Sequence, residues 1–428
     1  MIKISFNKEV EIKYDVDVMI AGGGSAGVAA AIAASENGAS VYLAEKSQCF
    51  GGMGTLAKVP AFMRFSDGVN FLAGGIGKRI FNELYGKTTD FTKIEYAINT
   101  EALKVVYDKL MTQSNAKFSF ESTLTDVIHD NGDIKYAIVH GKERSFAVKA
   151  KIFIDATGDG SLAVMSGAEY DKGDEKSRMM PGTLCSQWSD IDWDKAIVEL
   201  GKDPDNRKLK QAFEDGVFSV RDPSLPGMWH RNDNLGGGNI GHIFGVDGTD
   251  ELSITLGMID ARKRMSEYVK YYNEYLPGYE KAKLTSTAEV LGIRETRRIR
   301  CEYTMTAEDY LKGASFEDEI GRYCYPIDIH AAFIGDKPKY SELYSKGYKT
   351  GESYGISYRS LLPQKTKNLL VAGRCIGAER SIMGSLRVMP ACYITGAAAG
   401  AAAAEAIQSN TTLREIKSKK LQNRIKEL

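Results

Sequence analysis

Residues 17–46 read DVMIAGGGSAGVAAAIAASENGASVYLAEK: a buried strand, a glycine turn, a helix of small residues and a second strand that closes on an acid. Val16, Val18, Ile20 and Ala21 form an apolar run suited to a central parallel strand, and Gly22, Gly24 and Gly27 stand at GxGxxG spacing. Between Ala26 and Ser35 nearly every side chain is small, which lets a helix lie close to a sheet, and Asn37-Gly38 supplies a left-handed stop. VYLAE at 41–45 reads as the second parallel strand. Glu45 falls about where a dinucleotide pocket needs an acid to accept from a ribose 2′-hydroxyl. Strand, turn, helix and acid in this order predict one dinucleotide site, which a bare glycine triplet would not.

A second GxGxxG, LGGGNIGH at 235–242, lacks that context. No apolar strand leads into it and HIFGVDGTD after it is not helical, so it reads as a loop. Downstream of a helix in TEALKVVYDKLMTQSN, the strand-like runs of FSFESTLTDVIHDNGDIKYAIVHGKERSFAVKAKIFIDATGDG are broken at Asn131-Gly132-Asp133 and His140-Gly141-Lys142-Glu143, the pattern of a β-meander. It ends in a buried strand, Ile152 to Ile154, and the small polar turn Asp155 to Gly160, which a cofactor can approach closely. Residues from about 170 to 360 have no βαβ rhythm. KNLLVAGRCIGAERSIMGSLRVMPACYITGAAAGAAAAEAI then returns to strand (Leu369 to Ala372), glycine loop and long alanine helix. The expected architecture is α/β: a discontinuous Rossmann-type domain, 1–168 with 362–428, holding a parallel sheet and the meander, and an inserted α+β substrate or cap domain at 169–361.

A chain of 428 residues with 43% hydrophobic content can bury a large core. Lys plus Arg and Asp plus Glu both total 56, so no global charge favours nucleic acid or an acidic membrane surface. The opening MIKISFNKEVEIKY has no apolar core of a signal peptide, and the most membrane-like run, 388–407, rests on Ala and Gly and carries Pro390 and Glu405. The expectation is a cytoplasmic protein acting on a small molecule, with neither nucleic acid nor membrane as partner. The six cysteines are dispersed, with no CxxC pair and no metal-ligand spacing, and Cys49 has no resolving partner nearby. In the tail, Leu421, Ile425 and Leu428 share one helical face and the basic residues the other.

AGGGSAG (21–27), Glu45 with CFGGMGT (49–55), IDATGDG (154–160), LGIRETRRI (291–299), YPIDIH (325–330) and LLVAGRCIGAERSIMGSLRVMP (369–390) together resemble the FAD-dependent oxidoreductases of the glutathione-reductase-like flavoprotein superfamily. The resemblance spans residues 16–410 and implies FAD rather than NAD. It implies that Gly22, Gly24, Ser25, Ala26 and Gly27 face the pyrophosphate, that Glu45 with Lys46 meets the adenosine ribose, and that Gly51, Gly52, Met53, Gly54 and Thr55 run beside the ribityl chain and flavin. Leu124 would lie against adenine, and Ala156, Thr157, Gly158 and Asp159 would flank the adenosine-diphosphate half. Gly373 and Arg374 would approach the pyrophosphate and ribityl chain, with Arg387, Val388 and Met389 beside the isoalloxazine. Backbone N–H groups at a helix N-terminus bind phosphate without a basic side chain, which agrees with the first turn. Pro390 suits the start of the C-terminal helix, whose positive end would favour an anionic reduced flavin. Ser357 stands where relatives of this family often have proline and Cys301 where glycine is usual; neither touches the implied cofactor contacts, and both could alter the substrate pocket.

Hydride chemistry at a flavin needs a positioned C–H, a group to take the accompanying proton and cationic or N–H groups to hold the oxygen. His330 in YPIDIH is the candidate acid/base, as a loop histidine titrating near neutrality, and Arg294 in GIRETRRI is the candidate clamp for an anion or carbonyl. The competing reading for Arg294 is an ion-pair network, because Arg294, Arg297, Arg298 and Arg300 crowd one helix-like stretch with Glu295. His242, Asn239, Tyr354 and Tyr358 are lesser pocket candidates, and Trp188, Trp229 and Met228 candidate walls. The expected function is hydride transfer between a small polar organic substrate and flavin N5, with a flavin monooxygenase or halogenase, or a non-catalytic FAD electron-transfer subunit, as alternatives.

Overall fold

The structure, a computed structural model, describes residues 4, 7–200, 206–223, 227–344 and 347–428. The opening strand Ile12–Ala21 lies inside a seven-stranded sheet, parallel to Val41–Ala44 on one edge and to Ser145–Asp155 on the other. Lys117–Ser119 continues the sheet beyond Val41–Ala44. The long strand Ser145–Asp155 divides its remaining edge between two partners. Its first residues run antiparallel to Asp133–His140, which in turn pairs with Thr123–Asp130 as the expected meander, and its last three pair in parallel with Leu369–Val371. The C-terminal segment thus completes a sheet begun by the N-terminus.

Small residues decide how the sheet is covered. The helix Ser25–Glu36 is buried along almost its whole length, and the helix Met389–Ser409 lies directly against it. A methyl group on Gly396 would stand 2.8 Å from backbone atoms of Ala26, and one on Gly400 would stand 2.9 Å from the Ala34 nitrogen. The helices therefore touch backbone to backbone, a separation only glycine permits. A hydroxyl chain ties in a third helix, Thr100–Gln113: Tyr107 Oη lies 3.3 Å from Ser25 Oγ and 2.6 Å from Tyr393 Oη, all buried. The tail helix Ser418–Lys426 buries Leu421 and pairs Arg424 with Glu405.

A second core gathers side chains between Leu184 and Leu291, among them Trp188, Ile240, Met265 and Tyr272. It contains an antiparallel sheet in the order Met228–Asn232, Leu235–Gly238, Ser186–Ser189, Lys283–Thr287, and the helix Glu251–Tyr275, whose N-cap Asp250 accepts from Ser253 N at 2.6 Å. Ile299, Met305, Tyr323, Ile356 and Leu361 belong to the first core.

Two local expectations are corrected. The repeat at 235–242 is not wholly a loop, because Leu235–Gly238 is a strand whose glycines admit close neighbours: a Cβ on Gly236 would stand 2.5 Å from Ile191 Cδ1. The arginine-rich stretch is extended rather than helix-like, with Arg297–Ile299 pairing to Tyr170–Lys172, so its arginines diverge instead of sharing a face. Among the described residues no helix is long and apolar enough to cross a membrane.

Candidate functional site

The glycine turn is shaped by close approach. Gly22 has φ +94°, and a Cβ there would lie 2.7 Å from the Ala156 carbonyl oxygen; one on Gly27 would lie 2.9 Å from the Gly22 carbonyl carbon. At Gly24, by contrast, nothing stands within 4 Å of where a Cβ would be. The helix begins at Ser25 with Gly24 as N-cap and no side-chain cap, so the N–H groups of Ser25, Ala26 and Gly27 have no partner within the helix. An open volume over unpaired donors at the positive end of a helix suits a pyrophosphate.

Glu45, buried, accepts from Gly23 N at 2.6 Å through Oε2 and from Ser47 N and Oγ at 2.8 and 2.6 Å through Oε1. A carboxylate has about four acceptor positions, so one stays free for a ribose hydroxyl. Lys46 beside it is exposed. Gly51 N donates to Gly23 O at 2.9 Å and leads into the 3₁₀ turn Gly52–Gly54 containing Met53, with Thr55 buried behind it. A Cβ on Gly54 would stand 2.8 Å from Met389 Sδ, which sets this loop against the start of the C-terminal helix. Across the cleft, Asp159 Oδ1 accepts from Arg374 Nη2 at 2.7 Å and from Thr296 Oγ1 at 2.8 Å, and Gly373 N donates to Thr395 Oγ1 at 3.0 Å. Ala156, Thr157 and Gly158 form the turn between that strand and Asp159, and Leu124 packs half-buried on the meander. The helix Met389–Ser409 also lacks a side-chain cap and carries Pro390 in its first turn. A donor-rich turn, a buried acid with an open acceptor position and a second uncapped helix end have the chemistry that suits a flavin dinucleotide.

From Met53, Arg374, Arg387, Val388 and Met389 a cavity of about 680 Å³ extends into the second core. Its far wall holds both catalytic candidates, Arg294 and His330, with His242, Asn239 and Trp229. Tyr354 and Tyr358 are absent from it: both are buried in the first core, with their hydroxyls on Ser385 Oγ and Leu413 O. Trp188 belongs to the second core, and neither Ser357 nor Cys301 lines the cavity.

Arg294 stands apart from the network that claims its neighbours. Glu295 is paired with Arg380 at 2.8 Å and with Arg298 at 3.5 Å, and Arg300 pairs with Asp171 at 2.8 Å. The described hydrogen bonds of Arg294 are donated by Nη1 alone, to Pro181 O and Thr183 Oγ1, each at 2.8 Å. Among the described residues no carboxylate lies within 4.0 Å of this guanidinium, which is 8% exposed. Burial, with Arg387 adding repulsion, draws it down to about 10, still cationic at neutral pH.

His330 sits in a chain of titratable groups. Asp222 Oδ2 lies 2.9 Å from His242 Nδ1, His242 Nε2 lies 2.9 Å from His330 Nδ1, and His330 Nε2 lies 3.2 Å from Asp328 Oδ1. Arg387 Nη2 closes the chain by donating to Asp328 Oδ2 at 2.8 Å. Burial first and Arg294 second lower His330 to about 4, which corrects the expectation that it titrates near neutrality; burial also lowers His242. Asp328 goes down despite its burial, because His330 and Arg387 outweigh desolvation. Asp328 was within reach of sequence reasoning, two residues before His330 in YPIDIH. Asp222 and Thr183 had no local signal. Cys185 also lines the cavity, with its thiol pushed up to about 12 by burial, and burial raises the Cys49 thiol too.

Comparison with known proteins accords with this geometry. A protein of Methanosarcina barkeri, described only as lying in the nifH2 5′ region, is 30% identical over 182 residues, covering 39% of this chain and 96% of its own. The crystal structure of a geranylgeranyl bacteriochlorophyll reductase-like protein of Thermoplasma acidophilum superposes with a TM-score of 0.50 at 15% identity, covering 97% of this chain and 84% of that one. At that identity the likeness concerns the fold. The model of the family described as FAD dependent oxidoreductase matches residues 17–425, so this chain belongs to that family and its cofactor is FAD.

Proposed function

We propose that this chain transfers a hydride between FAD and a small polar organic substrate held in the 680 Å³ cavity, and that the substrate presents a carboxylate or a polarised carbonyl to Arg294. The observation that carries the reading is the buried Arg294 guanidinium on the cavity wall, with no carboxylate within 4.0 Å of it among the described residues. An isolated buried charge costs several kcal/mol, and an oxyanion held by a planar fork of N–H groups offsets that cost while fixing the substrate's orientation. FAD, when bound, supplies the two-electron acceptor or donor. Gly22 to Gly27, Glu45, the 51–55 loop and Arg374 hold it. Arg387, Val388 and Met389 form the cavity wall on the cofactor side, and His330, neutral at pH 7, takes or returns the proton that accompanies the hydride.

The experiment is anaerobic titration of the holoenzyme with hydroxy acids, enoates, amines and sugars while the flavin band is followed. The reading expects bleaching, or reoxidation of pre-reduced flavin, by members bearing a carboxylate or conjugated carbonyl. Response confined to sugars and simple amines, undiminished in Arg294→Met, would refute it.

A further inference from the structure

The helix Glu251–Tyr275 covers the second core with one face, through Met258, Ala261, Met265 and Tyr268. Away from that core, Leu252, Leu256 and Ile259 are each more than half exposed. Their spacing of four and then three residues places all three on a single stripe. Scattered apolar side chains on a surface are ordinary; a continuous stripe on one helix marks a place of contact. A charge stands at each end of it, Glu251 before the first leucine and Arg262 after the isoleucine, both exposed. They are 11 residues apart in the sequence, close to three turns at 3.6 residues per turn, so they share one flank of the helix. Among the described residues neither has an ion-pair partner, whereas Asp260 on the other flank is taken by Arg264.

We infer that this stripe is the docking surface for a second copy of the chain, helix against antiparallel helix across a twofold axis at Leu256. The pattern complements itself in that orientation. Leu256 meets the partner's Leu256, Leu252 meets the partner's Ile259, and Glu251 meets the partner's Arg262, once on each side of the axis. The positions agree closely: the midpoint of 252 and 259 and the midpoint of 251 and 262 both fall half a residue from 256, less than about 1 Å along a helix rising 1.5 Å per residue. Antiparallel helices bring like flanks together, so the flank shared by the two charges is what lets them pair. Parallel docking in register would instead set Glu251 against the partner's Glu251 and Arg262 against the partner's Arg262, which repels. A charge pattern symmetric about its own centre is what a twofold interface requires and what a foreign partner does not. Three apolar side chains per copy framed by two ion pairs make a small interface, and the dissociation constant expected for it is on the order of 10 μM.

The test is sedimentation velocity of the FAD-loaded protein over concentrations that bracket this value, with native mass spectrometry to count the species. Wild type is expected to pass from monomer to dimer. Leu256→Glu should stay monomeric throughout while keeping its FAD and its melting temperature, because the side chain it replaces is exposed in the single chain. Glu251→Arg and Arg262→Glu should each weaken self-association by about tenfold, since each sets like charges together on both sides of the axis. Mixed in equal amounts, the two variants should form a heterodimer about as tight as the wild-type dimer, because both crossed contacts are then opposite in sign. A wild type monomeric at every concentration, a dimer left intact by Leu256→Glu, or a mixture no tighter than its two components overturns the inference.

Discussion

Gly396→Ala sets two known effects against each other. In a free helix the change stabilises by about 1 kcal/mol, because alanine is the better helix former. Here the new methyl would stand 2.8 Å from backbone carbon atoms of Ala26 and nearer still to its oxygen, where ordinary contact begins at 3.4 Å. Backbone cannot rotate aside as a side chain can, so the two helices must separate by more than half an ångström along their shared length. Overpacking of this kind costs about 1–3 kcal/mol, and a backbone neighbour places it at the upper end. The net expectation is a loss of about 2 kcal/mol, a melting temperature lower by roughly 2 °C for a chain of this size. Ala26 lies in the first turn of the helix whose uncapped N–H groups are proposed to hold the cofactor, so FAD should also be held more weakly. Gly400→Ala, one turn deeper against Ala30 and Ala34, should cost comparable stability with a smaller effect on FAD. The assay is thermal unfolding of apo-protein and holoprotein with fluorescence titration of FAD. An apo-protein melting at or above wild type would show that helix propensity wins and that the packing account is wrong.

Glu45→Ala should weaken FAD retention by about 1.5–3 kcal/mol, as a lost charge-assisted hydrogen bond, measured by dialysis against known FAD concentrations. Arg294→Lys should keep FAD and fold while substrate-dependent flavin reduction falls, because a point charge replaces the planar fork; a stopped-flow rate equal to wild type would contradict it. NADH and NADPH should reduce the flavin slowly or not at all, since the second glycine repeat opens no helix; rapid reduction at micromolar concentration would reverse this. His330 also predicts a stability slope. Its folded value of about 4 lies below the unfolded 6.5, so the unfolded chain binds the proton first, and stability present above pH 6.5 is lost as pH falls towards 4, by up to about 3 kcal/mol. Denaturant melts of His330→Gln at pH 7 and pH 4.5 should show a shallower loss than wild type.

The parts of this protein readable in its sequence are those where one physical requirement fixes both residue type and spacing. The opening strand, glycine turn and acid were legible because close approach and an open anion site demand glycine at Gly22, Gly24 and Gly27. The meander was legible from its turns, and the return of the C-terminal strand and helix from the alanine run. Arg294 and His330 were singled out by chemistry, but their surroundings were not. The Asp222–His242 contact joins residues 20 positions apart with no periodicity between them, and only the tertiary fold decides that Glu295 takes Arg298 and Arg380 while Arg294 is left to the cavity. Desolvation of His330 depends on what covers it, which no local pattern encodes.

The divided edge of the strand Ser145–Asp155 bears on how the protein is made. Its last three residues wait for Leu369–Val371, and the first helix waits for Met389–Ser409, more than 200 residues further along the chain. During synthesis the cofactor turn and its acid leave the ribosome early, yet the sheet edge and the helical lid over them do not exist until residues 369–409 have followed. Assembly of the sheet edge and of the cavity wall at Arg374 and Arg387–Met389 is therefore a late event in the life of the nascent chain, and truncation before residue 369 leaves a pocket with its first half written and its second half missing.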